Sequence, residues 1–191
     1  ASVGATIAFA FAVGRGKVTW NSFLNTLRET AGNTGLIYVI IMGASIFAYF
    51  VTLSHLPDAL VTYIMSLGLP PLMVIFLFMI MYLILGSVFD TVAAMVITLP
   101  FVFPVIVELG YDPIWWGVVN VVAMEIGMIT PPIGMNVFVL YGVAKTIPLK
   151  TIFAGIVPFL IADLARLTII VLLPIITLWL PLALGMPMGQ D

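Results

Sequence analysis

Two stretches decide how this chain folds: EIGMITPPIGMN at residues 125–136 and, upstream, LGSVFDT at residues 85–91. The first places adjacent prolines, Pro131 and Pro132, inside sequence apolar enough to cross a bilayer. In a continuous helix these two residues would donate to the carbonyls of Gly127 and Met128. Proline has no N–H, so both oxygens are expected to lose their helical partners. In lipid such an oxygen costs several kcal/mol unless protein, water or an ion takes it up. The second stretch carries a Gly-Ser break, Gly86 and Ser87, and a lone carboxylate, Asp90.

Hydrophobic residues make up 63% of the chain and charged residues 7%, with a mean hydropathy of +1.30. Soluble domains carry about 45–50% apolar and about 25% charged residues, so the solvent here is a lipid bilayer. Long apolar runs without strand-like alternation favour helices over a barrel. The fold class is therefore all-α, a polytopic helical membrane protein. Six basic and eight acidic residues give a net charge of −2, too few to form a face for nucleic acid. The absence of cysteine and the presence of one histidine exclude disulfides and thiolate or multi-histidine metal sites.

Taken in order, residues 1–33 read as the end of a truncated span followed by a cytoplasmic interfacial helix. Trp20, Phe23, Leu24 and Leu27 form its apolar face. The GRGK at residues 14–17 is not a phosphate loop, because position 11 is Phe. Residues 34–68 supply a transmembrane helix and a connector, with His55 an interfacial residue where the span ends. Residues 69–107 read as a hairpin of two apolar arms, interrupted at Gly86 and Ser87 and again at Pro100 and Pro104. Residues 108–144 form a proline-broken helix that starts at an Asp112 cap with Pro113 at its first position and carries Trp115 and Trp116, suited to the headgroup belt. Residues 145–191 hold a C-terminal span interrupted by Pro158 and Pro174. Arg15, Lys17 and Arg28, like Lys145 and Lys150, belong on the cytoplasmic side, which requires an even number of crossings between them. The hairpin must then enter and leave from the outer side as a re-entrant element.

Broken helices in secondary transporters place freed carbonyls around Na⁺ and turn half-helix N-termini toward anionic substrate groups. By that logic the carbonyls of Gly127 and Met128, the Thr130 hydroxyl and a Gly86 carbonyl from the hairpin tip are candidates for an all-oxygen shell around a hard cation. A structural kink is the plain alternative. Ser87 and Asp90 have the S-x-x-D spacing of a capping box, and Asp90 would also adjust charge near a cation or gate the outer path. Asp163 and Arg166 stand at i,i+3 spacing and would neutralise each other; alternatively Arg166 pairs with Glu125 or approaches an anionic substrate.

Read together, LGSVFDTVAAMVITLPFVFPVIVELGYDPIWWGVV and EIGMITPPIGMNVFV resemble the C-terminal half of the large membrane subunit of TRAP transporters, the tripartite ATP-independent periplasmic family. The resemblance covers nearly the whole chain. It implies one inverted-repeat half, with a re-entrant hairpin and a discontinuous helix, of a bacterial inner-membrane permease that couples Na⁺ entry to uptake of an organic acid such as a dicarboxylate or sugar acid. Implied partners are a periplasmic substrate-binding protein, a small four-helix membrane subunit and the N-terminal half of the same subunit. Matching motif to motif, it places a Na⁺ site at Gly86, Gly127, Thr130 and the carbonyl of Ile133, with Met128 a further candidate. Ser87, Asp90, Glu125, Asn136 and Arg166 remain for substrate or gating roles. No organic cofactor is implied.

Two other classes compete. An intramembrane aspartyl protease would pair Asp90 with Asp163, but Asp90 follows Ser-Val-Phe and lacks a GxGD context. A non-transporting membrane scaffold would need none of the polar residues above. Neither a catalytic triad, an HExxH nor any phosphate loop is present, so the reading is a transporter and not an enzyme.

Overall fold

The computed structural model describes residues 2–16, 18–143 and 147–185. Lys17 and Lys145, two of the five basic residues behind the topology expected above, lie outside them. Among the described residues the secondary structure is helical throughout: α1 (Ser2–Gly14), α2 (Trp20–Leu53), α3 (Leu56–Ser66), α4 (Pro71–Val88), α5 (Thr91–Glu108), α6 (Pro113–Gly127), α7 (Met135–Val143), α8 (Leu149–Leu172) and α9 (Ile175–Ala183). Four of these, α2, α4, α5 and α8, are long and apolar enough to cross a membrane.

The chain divides into two units, residues 1–43 and 44–191. In the first, Phe9 of α1 packs on Phe23 of α2, ring centroids 5.7 Å apart, and Arg15 lies over the Phe11 ring. The interfacial segment and the following span are not separate helices. α2 runs unbroken from Trp20 to Leu53, because neither Gly32 nor Gly35 introduces a turn and a missing side chain alone does not end a helix.

The second unit is built on α4, α5 and α6. Contacts between α4 and α6 advance in the same direction along both helices, from Phe78 and Tyr82 against Trp116 to Gly86 against Met124 and Gly127. The two helices therefore run parallel. α5 returns antiparallel beside them, and the Tyr82 hydroxyl meets the Thr98 hydroxyl at 2.7 Å across the α4–α5 turn. The core gathers Ile75, Tyr82, Val102, Ile106, Trp115, Trp116, Val119 and Met124 with Leu167 and Val171 of α8 and Leu178 of α9.

Several boundaries differ from the sequence reading for identifiable reasons. α4 does not stop at Gly86 and Ser87 but continues to Val88, and the interruption falls at Phe89, whose backbone is extended. α5 passes through Pro100 and Pro104 without a break; each proline removes one hydrogen bond, a loss that neighbouring helices tolerate. Trp115 and Trp116 are not in a headgroup belt. Both are buried in this core, where Trp115 stacks on Tyr111 with centroids 4.7 Å apart and donates its indole N–H to the Ile170 carbonyl. A tryptophan that can bury its area and satisfy its N–H gains more inside the protein than at the interface. The C-terminal span is two helices, since the chain turns at Leu173 and Pro174. His55 adopts a positive φ between α2 and α3 and its exposed imidazole meets Asp58 at 3.2 Å. Asp112 caps α6 as its sequence predicts, accepting from the Ile114 and Trp115 amides.

Candidate functional site

The ends of α4 and α6 meet where both helices stop. A Cβ placed on Gly86 would fall 2.6 Å from the Met124 carbonyl oxygen, and one on Gly127 would fall 2.7 Å from the Leu83 oxygen and 2.8 Å from the Gly86 Cα. The backbones are in direct contact, as only glycine permits. After Gly127 the chain passes through Met128, Ile129, Thr130 and the double proline, whose linking peptide is cis. It re-enters helix at Met135 through Gly134, which has φ +62°. The Gly134 amide donates to the Ser87 carbonyl at 3.2 Å, and the Thr91 hydroxyl donates to the Met128 sulfur at 3.0 Å. These two bonds fasten the break to the α4–α5 turn.

The expectation that the double proline frees the carbonyls of Gly127 and Met128 is not met. Gly127 O accepts from the Thr130 amide at 2.9 Å, and Met128 O accepts from the Asn136 amide at 3.1 Å. The chain tightens to an i→i+3 turn just before the prolines, and the first turn of α7 folds back over Met128, so donors on either side replace the two missing ones. Among the described residues no hydrogen-bond donor is directed instead at the carbonyls of Gly86, Thr130 or Ile133. The Thr130 hydroxyl donates to the Ile126 carbonyl at 2.6 Å, which orients its lone pairs away from that helix. No three His, Cys, Asp or Glu side chains gather among the described residues, so the donors available here are carbonyl and hydroxyl oxygens, the ligands of hard cations.

The helix ends add a field. The C-termini of α4 and α6 carry partial negative charge to this point, while the N-termini of α5 and α7 bring partial positive charge. At α5 that charge is answered by Asp90, whose carboxylate accepts from the Ala93 amide at 3.0 Å. Ser87 does not take part in the capping box that its spacing predicts. It is buried, its hydroxyl donates back to the Ile84 carbonyl, and its own carbonyl is held by Gly134; α4 runs past it, so it is not a free N-cap. Asn136 is exposed at the start of α7, and Glu125 lies on the exposed side of α6. Arg166 does not pair with Glu125: its guanidinium meets Asp163 at 3.1 Å, on α8 and one turn along the same helix. Thr91 and Gly134 were not among the residues singled out from the sequence. The turn signal of a glycine after two prolines marks Gly134, and Thr91 sits one position after the cap, so both had a readable local cue.

These features define a polytopic helical membrane protein whose centre is a discontinuous helix docked on a helical hairpin. The family described as Tripartite ATP-independent periplasmic transporter, DctM component, matches residues 1–176, and the chain belongs to that family. It is 30% identical over 182 residues to the sialic acid TRAP transporter large permease protein SiaM of Vibrio cholerae, covering 93% of this chain and 42% of that protein. It is 38% identical over 160 residues to the C4-dicarboxylate TRAP transporter large permease protein DctM of Pseudomonas aeruginosa, covering 84% and 37%. The corresponding DctM of Rhodobacter capsulatus is 32% identical over 187 residues, covering 97% and 42%. The chain thus spans about two fifths of the length of the curated relatives it matches.

Proposed function

We propose that this chain forms one inverted-repeat half of the permease of a Na⁺-coupled secondary transporter that takes up an organic acid, a C4-dicarboxylate or a sugar acid. The α4–α5 hairpin acts as a re-entrant element entering from the outer side, and α6–α7 is the discontinuous helix that faces it. The observation that carries this reading is the convergence of two helix C-termini on the Gly86–Gly127 contact, beside a proline break with undonated carbonyls at Gly86, Thr130 and Ile133. Negative helix ends and neutral oxygens suit a small monovalent cation. Close by, the N-terminus of α7 and the exposed Asn136 suit a carboxylate. The names of the relatives support an acidic substrate: sialic acid for one and C4-dicarboxylates for two others. The tripartite family adds a periplasmic binding protein that delivers the substrate and a small membrane subunit, together with the rest of the large subunit. Glu125, exposed beside the break, would then face the substrate path or the other half.

The test is Na⁺-dependent uptake by the full-length permease with its partners, reconstituted in vesicles. Thr130→Val, which removes the hydroxyl, is expected to raise the half-saturating Na⁺ concentration at least tenfold, and Thr130→Ser to restore it. Na⁺ dependence identical in Thr130→Val and wild type would remove the basis for the cation site.

A further inference from the structure

One turn below the Gly86–Gly127 contact lies a buried polar chain that the cation site does not use. The Thr98 hydroxyl is 2.8 Å from the Ala94 carbonyl and 3.2 Å from the Met95 carbonyl. Carbonyls only accept, so the single Thr98 proton is committed to them. The Tyr82 hydroxyl, 2.7 Å from Thr98, is therefore the donor of that bond, which leaves its own oxygen as an acceptor. The Asn120 side chain hydrogen-bonds to the Tyr82 hydroxyl, and because its Oδ1 has no partner the bond comes from its amide N–H. The chain runs in one direction, Asn120 to Tyr82 to Thr98 to Ala94, and joins α6 to α4 to α5. Tyr82 is fully buried and Asn120 is 4% exposed, in surroundings made of Phe78, Trp116 and Ile75.

Apolar side chains at these positions would pack the same helices without any demand for register, because they tolerate sliding. A directional chain with one donor and one acceptor per link does not. Asn120 and Gly127 are seven residues apart on α6, about 10.5 Å, and Tyr82 and Gly86 four apart on α4, about 6 Å. The polar links and the glycine contact therefore occupy one face of each helix. We infer that the Asn120–Tyr82–Thr98 chain is a positioning device: it sets the register of the discontinuous helix on the hairpin, so that Gly127 seats on Gly86 and the Gly134 amide reaches the Ser87 carbonyl. This inference rests on the cation reading for its functional consequence but not for its structural one.

The test uses the purified full-length permease with its partners and two readouts. The first is hydrogen exchange of the peptide spanning residues 130–138, in which Pro131 and Pro132 carry no amide and the Gly134 and Asn136 amides are held by Ser87 and Met128. The second is the Na⁺ concentration for half-maximal uptake. Tyr82→Phe and Asn120→Leu are expected to accelerate exchange in that peptide about tenfold and to raise half-saturating Na⁺ about fivefold to tenfold, with little change in maximal rate. Thr98→Ser, which keeps the hydroxyl, should restore both. Val102→Ala truncates the same core without touching the chain, so it should lower overall stability and leave both readouts in place. Unchanged exchange in Tyr82→Phe and Asn120→Leu overturns the inference, as does faster exchange with an unchanged Na⁺ requirement. Faster exchange in a permease whose wild type needs no Na⁺ upholds the register role and overturns the cation reading instead.

Discussion

The contact between Gly86 and Gly127 makes a quantitative prediction for Gly127→Ala. The added methyl carbon would start 2.7 Å from the Leu83 oxygen, while ordinary contact begins at 3.4 Å, so α4 and α6 must part by about 0.7 Å. The opposing atoms are backbone and cannot rotate away, which puts the strain toward the upper part of the usual overpacking range of about 1–3 kcal/mol. Alanine also favours helix over glycine by about 1 kcal/mol, which would mask part of the loss. Gly117→Ala removes that ambiguity, since Gly117 lies in the same helix with nothing within 4 Å of a Cβ. The propensity gain is common to both variants, so their difference isolates the steric cost: Gly127→Ala should be about 2–3 kcal/mol less stable than Gly117→Ala. Chemical unfolding of the two full-length variants in the same lipid mixture measures it. A difference below about 0.5 kcal/mol would show that the backbones do not touch as described.

Further outcomes follow from individual side chains. Asp90→Ala should cost about 1 kcal/mol through loss of the α5 cap, seen as faster amide exchange over residues 91–94, while Asp90→Ser keeps most of it. Neutralising one member of the Asp163–Arg166 pair leaves a single charge in a helix otherwise fit to cross a membrane, where insertion costs about 2.5–3.5 kcal/mol per charged residue. Asp163→Asn and Arg166→Gln should therefore each lower the amount of membrane-integrated permease more than the double variant does; equal losses in all three would count against a pair within the span.

How much of this was legible in the sequence depends on the range of the interaction. The Asp112 and Asp90 caps were readable because a cap is a contact between residues two or three apart. The helical class and the break at Pro131 and Pro132 followed from composition and from chemistry carried by the residues themselves. What was missed depends on partners distant in the chain. The fate of the Gly127 and Met128 carbonyls was misjudged because their replacement donors come from the turn and from α7. Trp115 and Trp116 were sent to the interface because nothing local announces Ile170 or Tyr82 as neighbours. Gly86 read as an interruption because a glycine in a helix looks like weakness until the opposing glycine is known. The polar chain through Asn120, Tyr82 and Thr98 was invisible for the same reason: each residue alone is an ordinary member of an apolar helix.

A joint made of two glycines has no adjustable part. Most helix contacts can be loosened or tightened by a methylene at a time, but here the smallest available change already exceeds the clearance. Fine adjustment must come from the other end of the same helix pair, where Phe78, Tyr82 and Trp116 stand with ring centroids 6.0 Å apart. Those rings act as a spacer at the wide end of a wedge, and trimming or enlarging them would rotate the helices about the glycine point without altering it. Variation that tunes this permease should thus accumulate at the aromatic end and spare residues 86 and 127.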